Sequence, residues 1–388
     1  MDGLLATLQK ELARRNITQT ELAKKMGVSV ATVNNQLNGV YRMKFFYFVK
    51  LISCISDNYS QFERLIWEFL KELQDTKNKN NKLEIVREGL EWSLQNGNMQ
   101  LLEYFINEDS KLTDNGELGK IYSLLAKRNQ GLFKSLEFYD ELETLKLHGY
   151  KRGESSVLLR ISSIYALFES QSFNLFFHEI EKTMDLIERI KNKYLKKAYT
   201  MRIKEALAIA HMLKNELSVA QKLCEEILND DDAEHFPLLV NSINLLMAQM
   251  NLFTDYEKSL EYLRKTLMLF QKPNFLKNAK RRLKRVEATH DFIKIVNKDF
   301  DGLFLTDRSE YAHFLAMQEE PELNKKALEI LEELQKENGY LTPFQRFYKA
   351  LALRNAHLMK EAEEEFLISG NRYYAQLPRM YLEARVTV

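Results

Sequence analysis

A chain of 388 residues exceeds one small core and implies two or three domains. With 45% apolar and 29% charged residues and no apolar run long enough to span a bilayer, the composition is that of a soluble, cytosolic globular protein. The net charge of +1 argues against nucleic acid, but it conceals an uneven distribution: residues 1–56 hold eight Lys/Arg and three Asp/Glu, a net of +5, leaving the remainder at −4.

The N-terminus, Met-Asp-Gly-Leu-Leu, lacks the basic and apolar segments of a secretory signal. Residues 18–39 carry the densest local pattern. Thr18 caps a first helix, with Glu21 as its capping-box partner and Leu22 and Ala23 facing inward. Gly27 stands where that helix must stop in a left-handed conformation, which glycine adopts without a Cβ penalty. Ser29 caps a second helix with Val33 and Leu37 on its inner face, and Asn38-Gly39 ends it. This order predicts a helix-turn-helix; the alternative is an ordinary helical hairpin in an all-α core.

The pattern resembles the phage-repressor (Xre-like) DNA-binding domains over about residues 3–56. The resemblance implies that Val30, Ala31, Thr32, Asn34 and Asn35 lie at or near base edges in the major groove. A carboxamide such as that of Asn35 can pair with adenine in bidentate fashion, and Ala31 and the Thr32 methyl can meet a thymine methyl. Gln19, Asn38, Arg42 and Lys44 are the candidate phosphate contacts.

After residue 56 the chain reads as nearly all α: five prolines, the first at Pro237, thirteen glycines, and i, i+3, i+4 apolar spacing almost throughout. An exit helix is expected over about 58–74, its stripe formed by Tyr59, Phe62, Leu65, Ile66, Phe69, Leu70 and Leu73. The polar run from Asp75 to Lys82 predicts a break. The expected division is therefore 1–56 as a DNA-binding domain, 57–82 as exit helix and linker, and 83–388 as a repeat domain.

From residue 83 onward the pattern is helix pairs. Ala220 sits among Leu223, Cys224 and Ile227, Tyr256 to Phe270 repeats the theme, and 327–334 and 362–367 repeat it again. Small residues alternating with Leu, Tyr and Phe at a period of roughly 34–45 residues resemble degenerate tetratricopeptide repeats, which implies an α-solenoid; an irregular helical domain is the alternative. Cys54 and Cys224 read as buried free thiols. The seven histidines, His148 to His357, stand singly, and no phosphate loop or nucleophile elbow occurs, so neither a metal nor a cofactor nor an enzyme is expected. The basic cluster Lys277, Lys280, Arg281, Arg282, Lys284 and Arg285 reads as a surface stripe on a long helix.

A helix-turn-helix head followed by an α-solenoid is the arrangement of peptide-controlled regulators of Gram-positive bacteria. Within that group residues 83–388 resemble the arbitrium receptors (AimR) of temperate Bacillus phages. The resemblance is carried by Tyr194–Arg202, Asn251–Tyr256, Glu310–Phe314 and Ser369–Pro378 in order. It implies a homodimer in the cytoplasm of a bacterial host, bound to a double-stranded operator, that takes a short secreted peptide ending Arg-Gly-Ala in the repeat groove. By that resemblance Glu310 pairs with the peptide arginine, Asn241, Asn244 and Gln249 hold peptide amides, and Arg202 meets the carboxylate. Asn371 falls where the related receptors place an aspartate. The chain also ends Leu-Glu-Ala-Arg-Val-Thr-Val rather than in their leucine-rich tail. A regulator of host genes, or a repeat scaffold that binds protein in place of DNA, shares the same physical features.

Overall fold

The computed structural model describes residues 2–74, 78–133, 137–147, 149, 153–169, 173–318 and 320–386. Among them the regular elements are all helical. In chain order they are α1 (Asp2–Arg14), α2 (Gln19–Met26), α3 (Val30–Leu37), α4 (Phe45–Ile55), α5 (Tyr59–Gln74), α6 (Lys79–Gln95), α7 (Met99–Leu112) and α8 (Glu117–Gln130). Next come α9 (Glu137–Leu147), α10 (Gly153–Glu169), α11 (Phe173–Ile187), α12 (Lys193–Leu213), α13 (Leu217–Leu228), α14 (Pro237–Met250) and α15 (Tyr256–Met268). The last are α16 (Pro273–Asn278), α17 (Lys280–Val296), α18 (Arg308–Met317), α19 (Pro321–Asn338), α20 (Pro343–Ala352), α21 (Ala356–Ile368) and α22 (Gln376–Val386). Asp75, Thr76 and Lys77 of the expected linker, His148, and Thr387 and Val388 of the tail lie outside the described residues. No described helix is long and apolar enough to cross a membrane.

The chain forms two compact units. The first comprises Met1–Leu94, Met99–Tyr122 and Asn192–Leu195. Its centre is α4, in which eight of eleven side chains are buried. A helix that is apolar nearly all round must be enclosed on every side. Phe45 meets Trp92 and Phe105 edge-on at 5.8 and 5.2 Å, Phe48 stacks on Phe69 at 4.2 Å, and Phe46 stacks on Tyr194 at 4.1 Å. Burying each of these rings contributes roughly 1.5–3 kcal/mol. Lys44 gives α4 no side-chain cap. The Phe46 N–H instead donates to Glu88 of α6 at 3.0 Å, and the other oxygen of Glu88 accepts from the Asn192 carboxamide at 2.9 Å. Asn192 in turn caps α12 through the Leu195 N–H at 3.0 Å.

The exit helix is α5, with Leu65, Ile66, Phe69, Leu70 and Leu73 buried but Tyr59 50% exposed. The polar run after it is shorter than its composition suggests. Asn78 accepts from the amides of Asn80 and Asn81, both at 3.1 Å, so Lys79 to Lys82 form the first turn of α6. Asparagine at a helix start reads in sequence much like asparagine in a linker.

The second unit comprises Gln95–Asn98, Ser123–Lys191 and Lys196–Val388. It is helical-repeat-like: α10 packs on α11, α14 on α15, α18 on α19 and α20 on α21. Alanines sit at the helix contacts, where Ala220, Ala248, Ala327, Ala350 and Ala362 are fully buried. Cys224 is buried among them and its thiol is pushed up to about 12 by that burial, whereas Cys54 is half-buried. Residues 371–374 reach back to earlier helices: the Tyr373 N–H donates to the Leu213 carbonyl at 3.2 Å and its hydroxyl to the Gln249 carbonyl at 2.6 Å.

Gly89 gives a stability test of the first core. Alanine in place of a mid-helix glycine ordinarily stabilises by about 1 kcal/mol. Here a Cβ would lie 2.2 Å from the Phe105 ring, which is itself wedged against Phe45 and Tyr104. Gly89→Ala is therefore expected to destabilise by about 1–3 kcal/mol in chemical denaturation.

Candidate functional site

In the first unit the local chemistry that spells a helix-turn-helix is in place. The Thr18 hydroxyl accepts from the Glu21 N–H at 3.2 Å and the Glu21 carboxylate accepts from the Thr18 N–H at 2.8 Å. These bonds hold the Glu21 carboxyl below its usual range. Gly27 ends α2 at φ 68°, and the Ser29 hydroxyl accepts from the Thr32 N–H at 3.1 Å. Leu22, Ala23, Met26, Val33 and Leu37 are buried between α2, α3 and α4.

The outer face of α3 is a stripe of Val30, Ala31, Asn34 and Asn38, all exposed, with Thr32 and Asn35 half-exposed beside it. Gln19 is exposed at the first turn of α2, where amide groups favour a phosphate. The two remaining expected phosphate contacts are placed differently. Arg42 is half-buried with its guanidinium 5.9 Å from the Phe69 ring, and Lys44 pairs with Glu84 at 2.9 Å. Both partners come from helices distant in sequence, so nothing near residues 42–44 announces them.

In the second unit a cavity of about 560 Å³, within the ordinary range for ligand sites, lies among α8, α10, α12, α14, α17, α18 and the turn after α21. Of the expected ligand contacts, Asn241, Gln249, Glu310 and Asn371 line it. The Asn241 amide already donates to the Thr266 carbonyl at 2.7 Å, and the Asn371 oxygen accepts from the Tyr374 N–H at 3.2 Å. Asn244 and Arg202 are buried but do not line the cavity. Helix α14 lines it with residues 241, 242, 245, 246 and 249, a stripe that leaves Asn244 to one side. Arg202 lies behind the wall, its guanidinium donating to the Tyr165 hydroxyl at 3.1 Å.

The cations at the cavity are instead those of α17. Arg281, Arg282, Lys284 and Arg285 line it, so the expected surface stripe is a cavity wall. Arg281 and Arg128 share Glu169, at 2.7 and 2.5 Å. Arg282 donates to the Leu238 carbonyl at 3.0 Å and the Ser242 hydroxyl at 2.6 Å; it forms no ion pair among the described residues, and the buried Glu205 carboxylate acts on it only through space. Desolvation lowers it to about 10. Arg285 lies over the Phe168 ring at 5.1 Å and is lowered by the same cause although open to the cavity.

Glu310 is the complementary case. Its carboxylate accepts from the Tyr348 hydroxyl at 2.8 Å and meets His313 Nδ1 at 3.2 Å. Burial pushes His313 down to about 3, so the ring is neutral. Its Nε2 has no partner, which favours the tautomer with the proton on Nδ1, donating to Glu310. Glu310 thus has two donors but no Lys or Arg among the described residues, and burial raises its carboxyl well above the ordinary range.

A helix-turn-helix profile matches residues 8–51 and a profile described as AimR transcriptional regulator-like matches residues 63–384. The chain belongs to the AimR family. It is 31% identical over 258 residues to an uncharacterised Bacillus anthracis protein, pXO2-35, covering 66% of this chain and 94% of that one. It is also similar in fold to solved structures of phAimR. The selenomethionine form superposes with a TM-score of 0.60 at 20% identity, over 98% of this chain and 97% of that one. A ligand-bound phAimR gives 0.63 at 18% identity, over 85% and 98%. An AimR-like transcription regulator with a helix-turn-helix is therefore what this chain is, and the family is one of regulators.

The raised Glu310 carboxyl has a consequence for stability. An acid whose folded pKa lies above its unfolded value destabilises the fold as pH rises through the interval between them. Glu310→Gln is expected to melt above the parent chain at pH 8, with the difference vanishing below the ordinary glutamate range, as read by thermal denaturation across pH.

Proposed function

We propose that the protein is a DNA-binding regulator switched by a short signalling peptide, in the manner of the arbitrium receptors that choose between lysis and lysogeny. The observation that carries this reading is charge held without an ion pair on the walls of one cavity: among the described residues Glu310 has no cation acting on it, and Arg282 has no carboxylate within pairing distance, although the charge of Glu205 reaches it through space. A peptide with one guanidinium and a free C-terminus supplies both, and each charge-assisted pair gains from the low dielectric around it. A solved phAimR of similar fold is described as a ligand complex, which supports a ligand for this chain. In this reading Glu310 takes the peptide arginine, Asn241, Gln249 and Asn371 hold its amides, and Arg282 with Arg285 takes its carboxylate in place of Arg202. Asn244 supports the wall.

Residues 1–56 act as the reading head, 57–82 as its exit, and 83–388 as the receptor and the surface for a second copy. Val30, Ala31, Thr32, Asn34 and Asn35 face bases, with Gln19 and Asn38 on phosphates. Arg42 and Lys44 join the phosphate contacts only by leaving Phe69 and Glu84. The peptide shifts operator affinity by as much as it discriminates between two shapes of the receptor.

The test uses duplexes selected by the full chain, titrated with a pool of synthetic hexapeptides ending Arg-Gly-Ala with the first three positions randomised. Saturating pool is expected to change operator affinity at least fivefold in a gel shift; no change removes the switch. Asn35→Ala is expected to weaken operator binding about tenfold or more while leaving peptide affinity intact. Glu310→Gln is expected to do the reverse. Because the free Glu310 carboxyl is held high and a guanidinium favours its anion, peptide affinity is expected to rise with pH above the ordinary glutamate range and then level off. Calorimetry at pH 5.5 and 8 reads that difference.

A further inference from the structure

Asn34 stands at the middle of the exposed stripe of α3, one turn from Val30 and from Asn38. Its carboxamide is not free to choose an orientation. Gln9 of α1 donates through Nε2 to the Leu37 carbonyl at 3.0 Å, and a carbonyl can only accept, so that nitrogen is fixed in place. The same Nε2 faces the Asn38 oxygen at 3.5 Å, a long bond. Were Asn38 turned over, two NH₂ groups would oppose each other there. With its oxygen toward Gln9, Asn38 sends its own NH₂ to the Asn34 oxygen at 2.8 Å. Polarity therefore runs from one backbone carbonyl through two side chains, and it turns the Asn34 oxygen toward Asn38, leaving the NH₂ as the end with no partner among the described residues. What remains for a ligand is the Asn34 NH₂. Asn35 differs: its side chain has no hydrogen bond among the described residues, although its carbonyl accepts from Val40 and Tyr41.

We propose that Asn34 reads the major groove as a donor only, selecting base edges that accept, and that Gln9 and Asn38 are the positioning residues that fix this preference. The acceptor edges are guanine N7 and O6, adenine N7 and thymine O4. Guanine, with two adjacent acceptors, is the preferred partner and cytosine, with its N4 donor, the one refused. This rests on the DNA-binding reading of α3 above.

The test is a selection from a randomised duplex library by the full-length chain, followed by sequencing. The parent is expected to enrich guanine over cytosine about tenfold at one position of each half-site. Asn38→Asp can only accept, so it turns Asn34 over, exposes its oxygen, and is expected to shift that one position toward cytosine or adenine with the others unchanged. Asn38→Ala frees the amide and is expected to flatten preference at the same position. It also decides the matter should the aspartate variant melt or lose binding, since it adds no charge at the helix end. If every variant that binds selects the parent's base at every position, the inference is overturned. If the parent enriches no sequence, the DNA-binding reading fails and the inference goes with it.

Discussion

Enclosure of α4 is the constraint on which the first unit depends. A helix reading Phe-Phe-Tyr-Phe-Val-Lys-Leu-Ile-Ser-Cys-Ile can leave only a narrow strip at Ser53 open to water, so α1 and α2 cover part of it and α5, α6 and α7 cover more. Its N-terminus would be left with unsatisfied amides in an apolar setting, and Glu88 answers one of them from α6. The helix-turn-helix is therefore not a bead on a tether. Its innermost helix shares one core with segments that lie outside the motif.

The second unit inverts that logic. Most buried polar groups among the described residues are satisfied, as folded proteins require, yet two opposite charges at the cavity hydrogen-bond to neutral partners only, with Glu205 acting on Arg282 through space. Such charges cost stability in the empty protein and return it when a complementary ligand arrives. A site of this kind is selective by chemistry: a ligand lacking either charge leaves one of them without an ion pair.

How much of this was legible in the sequence follows from range of interaction. Thr18, Glu21, Gly27, Ser29, Val33 and Leu37 act on neighbours within four residues, and each occupies the role its spacing predicts. Helix pairing with buried Ala220 and Ala362 was legible for the same reason. The cavity was legible only in part. Glu310, Asn241, Gln249 and Asn371, inferred from resemblance, do share it. Arg202 lies behind the wall and the α17 arginines line the cavity, because the side of α12 or α17 that faces the cavity is set by packing, which a run of basic residues does not encode. The contacts of Lys44 and Arg42 are hidden for a similar reason, since Glu84 and Phe69 become their neighbours only after folding.

The bonds from Tyr373 to Leu213 and Gln249 give the second unit an unusual dependence on its own end. A simple helical array can grow repeat by repeat as the ribosome releases it, because each repeat needs only its neighbour. Here two carbonyls belonging to α12 and α14 wait for a segment more than a hundred residues downstream. Synthesis must be almost finished before those ends are closed, so truncated or stalled chains would keep the helix-turn-helix yet lack a completed second unit.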